Sequence, residues 1–245
     1  MTLLLNCDLG ESFGSWKMGL DEDVFPHIDQ ANIACGFHGG DPVVMMKTIA
    51  LAKKYGVTIG AHPAYPDLVG FGRRSMNCSE NEIIGFMLYQ MSALDGMAHS
   101  QGLHMEYVKP HGALYNDMMA KNEVRQSIMK AVAQFHRPVK LMLQATPNVS
   151  EHETEAEQFG IELVFEAFAD RCYDDDGKLL ARSKAGAVHS KEKMLAQVKQ
   201  LNEQGTITTV GGNTLRIKAD SLCVHGDNLE GVQAIAEIKH IIQGD

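Results

Sequence analysis

An α/β fold of seven strands alternating with helices, closing into a slightly distorted (β/α) barrel, is predicted by three observations. Short apolar or β-branched runs alternate with longer segments whose apolar residues recur at three and four positions. The short runs number seven, most of them flanked by Gly, Pro or Asn. The chain has 245 residues, close to the length at which such units close into a barrel. A doubly wound open sheet satisfies the same periodicity, and periodicity alone does not choose between them.

The strand candidates are Leu3–Cys7, Ala31–Cys35, Val57–Ala61, Met105–Val108, Val139–Leu143, Glu162–Phe168 and Ser221–Val224. The helices between them carry readable ends. Asp41-Pro42 supplies a capping carboxylate and a first-turn proline, and Gly56 closes that helix. Ser79-x-x-Glu82 is a capping box ahead of Ile83, Met87, Gln90 and Leu94. A helix from about Glu123 stops before Pro138, Ser190 caps another, and a last one runs from about Leu229 to Ile242. Thr206 to Ala219, with Gly211-Gly212-Asn213 at its centre, reads as a β-hairpin. Signals of both kinds continue evenly, with no repeat or Pro/Ser-rich linker, so one domain over residues 1–245 is expected.

Composition narrows the function classes. Lys+Arg 22 against Asp+Glu 31 gives a net charge of −9, which repels nucleic acid and anionic membrane surfaces. Five scattered cysteines without a C-x-x-C pair fit a reducing compartment, and a cytoplasmic protein is expected. The N-terminal three-leucine run is too short for a signal core, and no stretch approaches the roughly 20 apolar residues of a membrane span.

In either architecture ligands sit beyond the C-terminal ends of the strands, and reactive residues collect there. Asn6, Asp8 and Glu11 follow the first run, His38 and Asp41 the second, His62 the third, Lys109 and His111 the fourth. The fifth ends at Gln144, the sixth at Asp170-Arg171, and the seventh at His225 and Asp227. For any single histidine the competing account is a satisfied polar residue at the rim. Together they form a candidate site.

Asp8, His62 and His111, with His38 as a substitute, have the residue types to hold a divalent metal and lower the pKa of bound water. The same residues without metal suit general acid–base work on water and on a leaving nitrogen. Lys109 and Arg171, cations in an acidic chain, are placed to fix a substrate carboxylate or phosphate, a structural salt bridge to Asp170 or Asp227 being the competing account. Asn6, Glu11, His38 and Asp227 complete the set of candidate substrate contacts.

The glycines of Gly36-Phe37-His38-Gly39-Gly40 could offer backbone N–H groups to an anion, although Asp41 can cap those donors itself. No G-x-x-x-x-G-K-[ST] loop for a nucleotide is present. Cys7, Cys35 and Cys223 read as small buried hydrophobes, the methionines as core filling, and Glu151–Glu157 as a solvated helix face.

Six words of sequence resemble one family. Asn6-Cys7-Asp8-Leu9-Gly10-Glu11, Ala31-Asn32-Ile33-Ala34-Cys35-Gly36-Phe37-His38, Gly60-Ala61-His62-Pro63, Val108-Lys109-Pro110-His111-Gly112-Ala113-Leu114-Tyr115, Phe168-Ala169-Asp170-Arg171 and Cys223-Val224-His225-Gly226-Asp227 are similar to the LamB/YcsF family, from the first strand to the last. The sequence departs at Gly40, Ala64 and Cys172, and Ala64 removes a hydroxyl common in the family. The resemblance implies a seven-stranded barrel of the glycoside hydrolase/deacetylase type. It implies opening of the 5-oxo-L-proline (pyroglutamate) lactam to L-glutamate, coupled to ATP hydrolysis, in a complex with separate B and C subunits. In that chemistry Asp8, His62 and His111 would direct water, Lys109 and Arg171 would hold carboxylate or phosphate, and His225 or Asp170 would protonate the departing nitrogen. The alternatives are a metal-dependent deacylase of an N-acyl sugar or related amide and a non-catalytic scaffold subunit.

Overall fold

Seven parallel strands form a closed barrel in the computed structural model, which describes residues 3–181, 184–225 and 229–244. In chain order they are β1 (Leu4–Leu9), β2 (Gln30–Ala34), β3 (Thr58–His62), β4 (Met105–Val108), β5 (Lys140–Gln144), β6 (Leu163–Phe168) and β9 (Ser221–Cys223). Strand β9 closes the ring by pairing with β1 at Leu4↔Ser221 and with β6 at Glu166↔Ser221. Each expected strand therefore exists to within a residue or two, and the open-sheet alternative is excluded by closure.

The helices are α1 (Asp21–Val24), α2 (Pro42–Tyr55), α3 (Glu80–Ser100), α4 (Gly112–Ala120), α5 (Asn122–Gln134), α6 (Val149–Glu157), α7 (Lys191–Gln204) and α8 (Leu229–Gln243). The anticipated caps form. Asp41 accepts from the backbone of Val43 and Val44, Gly56 ends α2 in the left-handed region, and Ser79 and Glu82 make the reciprocal capping box of α3. The hairpin is β7 (Thr206–Thr208) against β8 (Thr214–Arg216), outside the barrel. Among the described residues no helix is long and apolar enough to cross a membrane.

Helix faces and outward strand positions share one apolar shell: Ile49, Ile83, Met87, Met91, Leu94, Ile128, Leu141 and Ile238 are all buried in it. The barrel interior is different. Asn6, Asn32, Tyr107, Lys109, Glu166 and Ser221 are buried there and bonded to one another. The ring of Tyr107 lies against Gly60 of β3, where any Cβ would overlap the ring. Only glycine leaves room for this crossing of the barrel, and the Tyr107 hydroxyl then donates to Asn32 Oδ1 at 2.6 Å.

Candidate active site

The polar floor of the barrel is centred on Lys109. Its ammonium lies 3.1 Å from Asp8 Oδ1 and 2.9 Å from Glu166 Oε2, and donates to Asn6 Oδ1 at 3.2 Å. Burial works against the charge, but the Asp8 and Glu166 carboxylates overcome it and raise the Lys109 pKa well above the ordinary lysine range. Asn32 Nδ2 donates to Asp8 Oδ1 at 2.7 Å and to Asn6 Oδ1 at 2.8 Å. Asn6 in turn donates to Ser221 Oγ at 2.7 Å.

Above the floor, three histidines and two carboxylates face one another. His62 Nε2 stands 3.3 Å from Asp8 Oδ2 and 3.0 Å from His111 Nδ1. His111 Nδ1 is 3.6 Å from Glu11 Oε1, and His38 Nε2 is 3.1 Å from the same oxygen. The His38 and His111 rings stack 3.7 Å apart. Burial, and then the neighbouring imidazoles, push both His38 and His111 well below the ordinary histidine range. Burial alone would push the Asp8 carboxyl up, but His62 and Lys109 hold it well below the usual carboxylate range.

Across the mouth, His225 Nδ1 pairs with Asp170 Oδ2 at 3.0 Å. Burial disfavours the imidazolium, yet the Asp170 charge outweighs it and raises the His225 pKa. A cavity of about 790 Å³ opens onto Asp8, Glu11, His62, Lys109, His111 and His225, a size that suits a small-molecule ligand. Its outer wall carries Arg125, Glu151, His152 and Lys178.

The structure thus gathers Asp8, His62, His111, His225 and Asp170, the expected catalytic set, around one opening. Several of the expected substrate contacts also carry structural bonds. Lys109 and Asn6 face the opening from below and are spent on the floor, because inward positions of β1, β4 and β6 meet only when the barrel closes. Arg171 lines the cavity and also donates to the carbonyls of Leu180 and Ala187, tying down the excursion after β6. His38 sits behind Glu11 and His111 and is not part of the cavity wall. Glu11 does line the cavity. Asp227 lies outside the described residues.

The glycine loop is not an anion cradle either. A Cβ on Gly39 would stand 2.8 Å from the Glu11 carbonyl and one on Gly40 would stand 2.8 Å from the Gly10 carbonyl, so these glycines allow close backbone packing that places Glu11. Asp41 takes the free donors of α2. The face of α6 also differs from expectation, since Glu151 and His152 line the cavity.

Sequence reasoning missed Glu166, Asn32 and Phe71. Phe71 is the one non-glycine with positive φ (53°) among the described residues, and its carbonyl faces His111 Nε2 at 2.9 Å. Strain of this kind collects at sites where the backbone must aim a group. Glu166 carried no external signal, being an acid in the middle of an otherwise apolar strand.

Comparison with known proteins gives this constellation a family. The LamB/YcsF family profile matches residues 3–245. The chain belongs to the LamB/YcsF family. It is 50% identical over 242 residues to the 5-oxoprolinase A subunit of Chromohalobacter salexigens, covering 98% of this chain and 97% of that protein. It is 51% identical to the 5-oxoprolinase A subunit numbered 2 of Pseudomonas putida, covering 99% and 94% respectively. The crystal structure of the lactam utilization protein of Thermus thermophilus superposes with a TM-score of 0.91 at 36% identity, covering 100% of this chain and 97% of that one. Membership and barrel are therefore as the sequence words implied.

Proposed function

We propose that this LamB/YcsF chain is the A subunit of an ATP-dependent 5-oxoprolinase, a hydrolase that opens the 5-oxo-L-proline lactam to L-glutamate while ATP goes to ADP and phosphate. It acts within a complex with B and C subunits, and ATP is a co-substrate of that complex. The observation that carries this reading is identity near 50%, over nearly the full length, to relatives named for that activity. The site chemistry fits it.

A five-membered lactam is a resonance-stabilised amide, so water attacks it slowly unless the carbonyl is activated. Phosphorylation of the lactam oxygen by the partner subunits supplies that activation. Water then adds to the ring carbon, His62 and His111 orienting it and Asp8 taking its proton. Asp8 suits this because it stays ionised, and Lys109 holds it in place from below. As the C–N bond breaks, its electron pair passes to nitrogen, and His225, kept protonated by Asp170, supplies the proton; the product of this step is γ-glutamyl phosphate, whose acyl–phosphate bond a second water cleaves to glutamate and phosphate. Lys178 on the outer wall gives an anionic substrate a favourable approach, whereas Arg125 there is paired with Glu155 at 2.6 Å.

The test is replacement within the assembled complex. Asp8→Asn and His111→Ala should leave the folded circular-dichroism spectrum intact and abolish glutamate formation. A variant that keeps wild-type turnover overturns the assignment.

A further inference from the structure

Two backbone carbonyls fix the tautomers of the central histidines. A carbonyl can only accept, so His62 Nδ1, 2.7 Å from the Lys109 carbonyl, carries hydrogen. By the same argument His111 Nε2, 2.9 Å from the Phe71 carbonyl, carries hydrogen. In their neutral forms both rings then aim bare nitrogens at each other, His62 Nε2 to His111 Nδ1, across 3.0 Å. Two lone pairs do not rest at that distance with nothing positive between them: the gap holds either a proton on His62 Nε2, shared with Asp8 Oδ2 at 3.3 Å, or a metal cation. Glu11 Oε1 adds a third electron-rich atom 3.6 Å from His111 Nδ1, and it accepts a hydrogen bond from His38 Nε2 at 3.1 Å. The His38 Nδ1 atom is buried without a hydrogen-bond partner, so the ring's hydrogen can pass to Nδ1 and free Nε2 for an ion without breaking any other bond of that ring.

We propose that Glu11, His38, His62 and His111 form a site for one divalent first-row transition cation of the zinc or cobalt class, bound through three imidazole nitrogens and one carboxylate oxygen at the cavity wall. The four donor atoms lie within 4.8 Å of one another. Three of their six separations, 3.0, 3.1 and 3.6 Å, bracket the edge of about 3.3–3.4 Å that a tetrahedron with bonds near 2.0–2.1 Å requires, and the others stay within 4.8 Å. The His38 and His111 rings lie 3.7 Å apart and within 4° of parallel, so binding requires one of them to turn out of the stack until both nitrogens aim at one ion. Imidazole-rich ligation selects this class over magnesium or calcium, which take oxygen donors. The carbonyl partners of His62 and His111 are the outer hydrogen bonds that ligating histidines make. This donor set puts Glu11 in place of the Asp8 of the triad expected from sequence and adds His38, the substitute named there; Asp8 Oδ1 is held by Lys109 and Asn32, while its Oδ2 stays 3.3 Å from His62 Nε2. The proposal does not rest on the oxoprolinase reading.

The tag-free full chain, stripped with chelator, is titrated with Zn²⁺ by calorimetry and separately with Co²⁺ by visible absorption. The expected result is one equivalent of each, with the intense bands of four-coordinate Co²⁺. Glu11→Gln and His38→Ala should each weaken Zn²⁺ affinity by more than about tenfold, whereas Asp170→Asn, across the cavity, should leave it unchanged. Metal-free thermal unfolding of each variant checks its fold. Absence of saturable binding of either ion would mean that a single shared proton fills the His62–His111 gap and would overturn the proposal. Unchanged affinity in a folded Glu11→Gln, or a six-coordinate Co²⁺ spectrum in the wild type, would do the same.

Discussion

Replacing Lys109 by methionine removes the only cation that touches both Asp8 and Glu166 in the described floor. The contacts are 3.1 and 2.9 Å, and at an effective dielectric near 20 each is worth about 5 kcal/mol of gross Coulomb attraction. Much of that is offset by the cost of burying the ammonium, which methionine does not incur. What remains is the penalty of leaving buried carboxylates without their partner, about 3–5 kcal/mol. Urea unfolding at pH 7 should show Lys109→Met destabilised by that amount. The double variant Lys109→Met/Glu166→Gln should recover about 2 kcal/mol or more, because it removes one stranded charge while keeping the shape. The pH dependence has a fixed sign. Asp8 is held below its ordinary value of 3.8, so the stability it draws from Lys109 is present above that pH and is lost as pH falls through the lower folded value. The gap between wild type and Lys109→Met should therefore narrow below about pH 4. A single variant within about 1 kcal/mol of wild type, or a double variant less stable than the single, would refute the pairing argument.

Other sites give independent tests. Asp21 is raised from 3.8 to about 6, chiefly by burial, so its folded state binds more protons than the unfolded chain between those values and stability declines as pH rises through that window. Asp21→Asn should flatten this slope in chemical denaturation measured from pH 4 to 7, and an unchanged slope would contradict it. Gly60→Ala places a methyl where the Tyr107 ring lies and should cost about 1–3 kcal/mol and displace Asn32 from Asp8. Full stability and activity in that variant would count against the crossing of the barrel. Asp170→Asn should move the alkaline limb of kcat to lower pH, since His225 loses the charge that keeps it protonated. Retention of the wild-type limb would remove His225 as the acid.

The barrel was legible in the sequence because each of its strands is a short apolar run ended by Gly, Pro or a polar residue. The site was legible as strand ends: Asp8, His62, His111, Asp170 and His225 follow four different barrel strands, β1, β3, β4 and β6, and the closing β9. What lay inside the barrel was not legible. Glu166 sits among Leu163, Val164, Phe165, Ala167 and Phe168, where periodicity marks a buried strand and nothing marks its partner. Lys109 read as a substrate clamp because a chain order shows a cation beyond a strand but not the two carboxylates that closure brings beneath it. Tautomers fixed by the Lys109 and Phe71 carbonyls need backbone geometry. Glu11 joined His38, already named from sequence, as a candidate metal donor only once the tight turn at Gly39 and Gly40 had brought the two loops together.

The central claim is tested most directly by glutamate formation from 5-oxo-L-proline and ATP, measured with this chain alone, with candidate B and C subunits alone, and with all three together, each with and without chelator. The account predicts glutamate only in the complete mixture, and none when Asp8→Asn replaces the wild-type chain. No glutamate in the complete mixture, combined with chelator-sensitive hydrolysis of an N-acyl sugar by the chain alone, would contradict it and establish a metal-dependent deacylase instead.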